Sequence, residues 1–220
     1  MQGITLLSMA LGSVIAGLGY LHIQAHEALN VAALCLILFY PINILICFWE
    51  LCLCYKYKLI RSVWEKRQKS EDKLGPLIIF KQMSLGQAFS PSHWAYIWID
   101  YARFDPSYAD SKSAGYNIDV GNGHVTLIPS LVMLWTMFQP VLGPKETGIL
   151  GVLLHYQMMY GTFLYGYSYF NNKRYVGTPW GIFISCVIIP NIIWIVFPLI
   201  GIATSIQLIR EESFTVVWAG

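Results

Sequence analysis

Charge is what this chain has least of. Only 12% of its 220 residues are Asp, Glu, Lys or Arg, about half the share usual in a soluble domain. With 56% hydrophobic residues and a mean hydropathy of +0.53, the composition points to a bilayer rather than to water. Cysteine is too sparse to build a framework. The five (Cys35, Cys47, Cys52, Cys54 and Cys186) are odd in number and lie in or beside apolar runs, so they read as packing residues. Cys52-x-Cys54 has the wrong spacing for a zinc knuckle. Phosphate loop, dinucleotide fingerprint and nucleophile elbow are all missing. So is an Asp-rich motif for a metal-bound diphosphate, which disfavours ionisation of a prenyl diphosphate. His22 and His26 are four apart with only Glu27 nearby, too few ligands to expect a metal site. No cofactor is expected. No basic residue precedes the apolar run that opens at Ile4, so that run is read as a retained helix rather than a cleaved signal.

What the chain does have is long apolar runs. Five approach the roughly 20 residues that span a hydrocarbon core, over Ile4–Ile23, Ala28–Cys54, Tyr116–Phe138, Gly148–Phe170 and Pro179–Ile209. They predict an all-α fold, a polytopic bundle of five transmembrane helices. It forms one domain over residues 1–220, with an extra N-terminal helix (4–23) on a core of 28–210. Gly12 and Ala16, four apart, give the first helix a face for close packing and a possible homodimer contact. Pro190 and Pro198 predict kinks in the fifth.

Alternating five spans puts twelve of the 14 Lys and Arg residues on the face that carries the Tyr55–Gly115 and Asn171–Thr178 connections. That bias predicts a cytoplasmic N-terminus, in the endoplasmic reticulum or, for a prokaryote, the inner membrane. The basic segment Lys56–Lys73 reads as a solvated extension of the second helix in contact with anionic membrane lipid. Nothing suggests nucleic acid. Pro76 to Ser90 reads as a short interfacial segment.

The chemistry gathers around Ser92–Asn122, which is aromatic and charged before carrying Asp119 into apolar sequence. An acid inside a membrane helix is costly and asks for a function. Glu50 lies about one turn inside the second span and Asp119 about one turn inside the third. Two carboxyls at matching depth can divide the roles of acid and base between them. Asp119, Asn122 and Thr126 form one polar stripe, with His124 off it. Gln157, Tyr160, Gly161, Leu164 and Ser168 share a face of the fourth helix that can line a cavity. Asn191, Trp194 and Pro198 share one on the fifth, where an indole beside an amide can stabilise a cation.

Three motifs then converge. Trp98-x-Asp100-Tyr101-Ala102-Arg103-x-Asp105-x-x-Tyr108, with an acid eleven residues on at Asp119, resembles the emopamil-binding protein (EXPERA) family. Tyr160-Gly161-x-x-Leu164-Tyr165 and Asn191-x-x-Trp194-x-x-x-Pro198 resemble that family's fourth- and fifth-helix motifs, so the likeness runs from about Ile44 to Arg210. It implies a membrane enzyme that protonates an alkene and removes a different proton from the resulting carbocation. Glu50 and Asp119 would handle the protons. Trp194, Asn191, Asn122, Tyr160, Trp98, Asp105 and Tyr108 would hold a terpenoid or sterol-like substrate. Two positions depart from the sterol isomerase pattern: Ile46 stands in place of a histidine and Asp119 in place of glutamate. A related use of the same device is proton-triggered, Prins-type cyclisation. The alternative is a non-catalytic sterol or lipid binder of the sigma-2 receptor type.

Overall fold

The computed structural model describes residues 1–69 and 76–219, and among them every regular element is helical. The helices are α1 (Gly3–His26), α2 (Val31–Tyr55), α3 (Tyr57–Lys69), α4 (Leu85–Ala88), α5 (Pro91–Tyr101), α6 (Ala114–Val125), α7 (Leu127–Thr136), α8 (Pro144–Asn171), α9 (Trp180–Ile182), α10 (Ile189–Glu211) and α11 (Thr215–Trp218). Three helical runs are long and apolar enough to cross a membrane: Gly3–His26, Val31–Tyr55 and Trp180–Glu211. Lys73, in the predicted basic extension, lies outside the described residues.

Contacts between chain segments sort the helix ends into two groups. At one end the Gly3 amide donates to Lys81 O at 3.0 Å and the Met83 amide to Met1 O at 2.9 Å, while Arg174 pairs with Asp105. At the other, His22 and His26 share the Met137 carbonyl, Asn30 donates to Ala219 O, and Lys145 meets Glu212. The chain therefore passes back and forth between a connection end, with residues 56–69 and 76–113, and a far end.

Prolines explain the interruptions. Pro129 has no N–H for the Val125 carbonyl, and the predicted third span duly divides into α6 and α7 at Thr126. Pro190 likewise frees the Cys186 carbonyl, and a π-helical stretch, Phe183–Ile188, joins α9 to α10. That freed carbonyl is not left bare: the Tyr101 hydroxyl donates to it at 3.0 Å. The predicted extension of α2 is instead a separate helix, α3, set off by a break at Lys56. It is amphipathic, buries Ile60 and packs on α5.

Small residues set the closest approaches. On α8, Gly148 meets Ile209 and the Ser205 carbonyl, and Gly151 meets the Ser205 hydroxyl; on α10, Gly201 lies against the His155 ring. This is the stripe that lets α8 and α10 form the largest interface in the bundle. At the hub, α2 touches α1, α5, α6, α7, α10 and α11. One apolar cluster gathers at the connection end around Leu53, Ile99, Tyr108 and Tyr169, and another at the far end around Phe39, Tyr40, Met133 and Leu208. Between them the packing leaves a hollow.

Candidate functional site

That hollow is a cavity of about 400 Å³, within the range of small-molecule sites. Its walls come from α1, α2, α5, α6, α8, the π-helical stretch and α10. Glu50 and Asp119 both line it, and each lies within electrostatic range of the other. Glycine brings their helices together. A Cβ built on Gly123 of α6 would lie 2.7 Å from Glu50 Cβ and 3.2 Å from the Cys47 carbonyl, so only glycine lets α6 rest on α2 at the depth of the acids. Gly123→Ala must push the two helices apart. It is expected to lower stability by about 1–3 kcal/mol, the usual cost of overpacking. Function in the cavity, whether turnover or ligand capture, should fall further than the shift in thermal midpoint accounts for.

Asp119 faces a phenol. Tyr108, buried in the turn Pro106–Ala109, lies in hydrogen-bonding reach of its carboxyl. Burial, reinforced by the charge of Asp119, holds the Tyr108 hydroxyl well above its ordinary pKa, so it stays a neutral donor. The same turn is fixed from above, where the Trp98 indole N–H donates to the Trp49 carbonyl at 2.6 Å and its ring lies 5.0 Å from that of Tyr108. Trp98, Tyr108, Asn122, Asn191 and Trp194 all line the cavity with the two acids. The Asn122 Oδ1 is buried with no protein partner, a free acceptor for a ligand's polar group.

Two residues read from the sequence as substrate-binding are not brought to this lining. Tyr160 is 47% exposed and stacks on Tyr156. On α8 it is Gly161, Thr162 and Tyr165 that face inward; Tyr160 precedes Gly161 by one position and so points about 100° away. Asp105 is fully buried but serves as a tie, accepting from the Ser107 amide at 3.0 Å and pairing with Arg174 at 3.4 Å. His22 and His26 hold the Met137 carbonyl and lie apart from the cavity lining. Among the described residues no group of three or more His, Cys, Asp or Glu is placed to hold a metal.

Two other residues at the site were assigned no role in the sequence reading. Asp100 lines the cavity and binds Arg103 at 2.8 Å, Arg67 at 3.1 Å and the Ile78 amide at 2.6 Å. Asn43 sits in the wall behind Trp194 and accepts its indole N–H at 3.0 Å. A signal existed for the second: Asn43, Cys47 and Glu50 fall at i, i+4 and i+7, on one face of α2.

The chain matches no protein-family model, no curated protein and no solved structure.

The chemistry must therefore be read from the site itself. Among the described residues the cavity lining contains three carboxylic side chains, from Glu50, Asp100 and Asp119, and no Lys, Arg or His. Asp100 is neutralised by two guanidinium groups; the other two acids have no cation in the lining. Such a site suits a neutral, greasy molecule and two proton-handling groups.

Proposed function

We propose that the chain is an integral-membrane isomerase or cyclase that crosses the bilayer five times and works by acid–base, carbocation-type catalysis. Its substrate is a terpenoid or sterol-like molecule. The five-span count is supported by the alternation of helix ends, and by α8, whose 28 residues reach about 42 Å at 1.5 Å each. Together α6 and α7 supply the remaining crossing. The basic connection end faces the cytoplasm with the N-terminus, in the endoplasmic reticulum or a bacterial inner membrane.

The observation that carries the reading is the meeting of Glu50 and Asp119 in one cavity, lined mostly by apolar and aromatic side chains, beside the Trp194 indole. One carboxyl, protonated, gives its proton to an alkene carbon; a C–H bond forms, the π bond is consumed and the adjacent carbon becomes cationic. The carboxylate of the other acid removes a different C–H proton, and that electron pair closes a new double bond. Proton count and oxidation state are unchanged overall, and the acids reset by passing the proton back. In the cyclising variant the first proton goes to a carbonyl oxygen or terminal alkene. An internal alkene then attacks the cation before the final deprotonation. The indole π-face stabilises the cation, and a dry wall keeps water from trapping it as an alcohol. The likeness to the emopamil-binding protein family supports the same reading.

The test is incubation of membranes containing the protein with a panel of terpenoid and sterol alkenes in deuterated water. A rearranged product is expected, with deuterium at carbon where an alkene is protonated and with none at carbon where cyclisation starts at a carbonyl oxygen. Tight binding across the panel without turnover would instead identify a sterol or lipid binder of the sigma-2 receptor type.

A further inference from the structure

Trp194 is held by one specific acceptor, and that acceptor is itself locked. The indole N–H donates to Asn43 Oδ1 at 3.0 Å. The amide nitrogen of the same residue donates to Ser130 Oγ at 2.9 Å and points to Cys47 Sγ at 3.5 Å. Cys47 in turn meets Thr126 Oγ1 at 3.2 Å, and Thr126 donates to the Asn122 carbonyl at 2.8 Å. Asn43 is only 2% exposed, and Ser130 is fully buried. Four helices thus meet in one polar chain: α10 gives Trp194, α2 gives Asn43 and Cys47, α6 and the α6–α7 joint give Asn122 and Thr126, and α7 gives Ser130.

The chain has a direction. With Nδ2 committed to Ser130 and Cys47, the amide of Asn43 has a single orientation, and its oxygen is the end left for the indole. One hydrogen bond to the edge of an aromatic ring fixes the ring's rotation about its Cβ–Cγ bond, and so fixes which way its π-face looks. Packing narrows the choice, with the Phe39 ring edge-on at 5.9 Å, and the hydrogen bond selects among the orientations that packing allows. The acceptor also draws the N–H proton outward, which enriches the ring in electron density. The network ends on the backbone carbonyl of Asn122, a residue whose side-chain Oδ1 is an unpartnered acceptor in the same wall.

We infer that Asn43 is a positioning residue that sets the plane of the Trp194 indole, and that product selectivity depends on it. The orientation stands on the hydrogen bonds alone; its effect on products rests on the catalytic reading above. The experiment separates the two. In full-length protein in nanodiscs, the Trp194 side-chain ¹⁵N–¹H signal is assigned by its loss in Trp194→Phe, and its exchange with deuterated water is followed. Asn43→Val is expected to speed that exchange roughly tenfold, the size of one lost hydrogen bond. Ser130→Ala, which keeps the acceptor but frees the amide to swing, should speed it by a smaller factor. Unchanged exchange in a folded Asn43→Val overturns the inference whatever the activity.

The catalytic half is read from the ratio of rearranged hydrocarbon to water-trapped alcohol. In the Trp194 background Asn43→Val should shift this ratio toward alcohol. In a Trp194→Phe background the same substitution should change it no further, because the residue acts only through the indole. An equal shift in both backgrounds would mark Asn43 as a general packing residue. If the parent protein turns over nothing in the panel, the catalytic reading falls, and the exchange result alone decides the role of Asn43.

Discussion

Asp119→Asn is expected to abolish turnover, by about 10³-fold or more, while the protein still inserts, purifies and melts like its parent. The substitution is isosteric, so neither the helix nor the Gly123 contact with α2 is disturbed. An amide cannot give or take the proton at the pH of the membrane surface. Positioned acid–base groups are generally worth 10²–10⁴-fold; here the loss should lie at the upper end, because Glu50 would have no partner to exchange a proton with. Glu50→Gln should fall in the same range, and the double variant should be little worse than either alone, as expected for groups that act as a unit. Tyr108→Phe should cost far less, since the phenol only donates toward Asp119. Initial rates by product chromatography and substrate affinity by direct binding check all four. Normal turnover in Asp119→Asn would remove it from the reaction outright.

The apolar runs were enough to read an all-helical chain with membrane-spanning helices. Of the prolines, Pro190 was read as a break and is one, Pro129 was not read, and α10 runs on through Pro198, where a kink was expected. Pro129 and Pro190 act by simple backbone chemistry: each removes one donor, and the helix divides or widens where the carbonyl is left over. The acids were legible for a similar reason. A carboxyl in an apolar run is rare, and matching depth on consecutive spans is a matter of counting residues from the membrane edge. Which way a helix is turned was harder to read. Tyr160 and Gly161 are neighbours in sequence, yet one is outside the bundle and the other in its wall, because the α6–α8 contact at Asn122 sets the rotation of α8. Asp105 looked like part of the site because it shares a motif with Trp98 and Tyr108. Its side chain instead turns to Arg174, a residue 69 positions away, which only the folded chain brings near. Asn43 was overlooked for the opposite reason: a single amide in an apolar span carries no charge, and its importance lies in what it touches.

Asp100→Ala should produce the largest loss of stability of any single change near the cavity. Its carboxylate, in a side chain 8% exposed, satisfies Arg103, Arg67 and the Ile78 amide together. Removing it takes the anion from between two guanidinium groups, whose side chains are 11% and 29% exposed, and strips a backbone N–H of its acceptor. Breaking a buried ion pair from one side costs about 3–5 kcal/mol, more than the overpacking at Gly123. Asn in its place should cost less, since one amide oxygen can still accept from Ile78. Function should respond through a different route from Asp119. Leu77, Ile78 and Ile79 line the cavity, and the bond from the Ile78 amide is what holds that turn against α5. Released, the turn should admit water, so Asp100→Ala is expected to divert product toward alcohol, with faster amide exchange at Ile78, and Asp100→Asn, which keeps that bond, to change both far less. A melting point within about 1 kcal/mol of the parent for Asp100→Ala would show that α3, α5 and the Leu77–Ile79 turn are joined by apolar contact alone. The excess charge of Arg67 and Arg103 would then have to be absorbed by their other partners or by water.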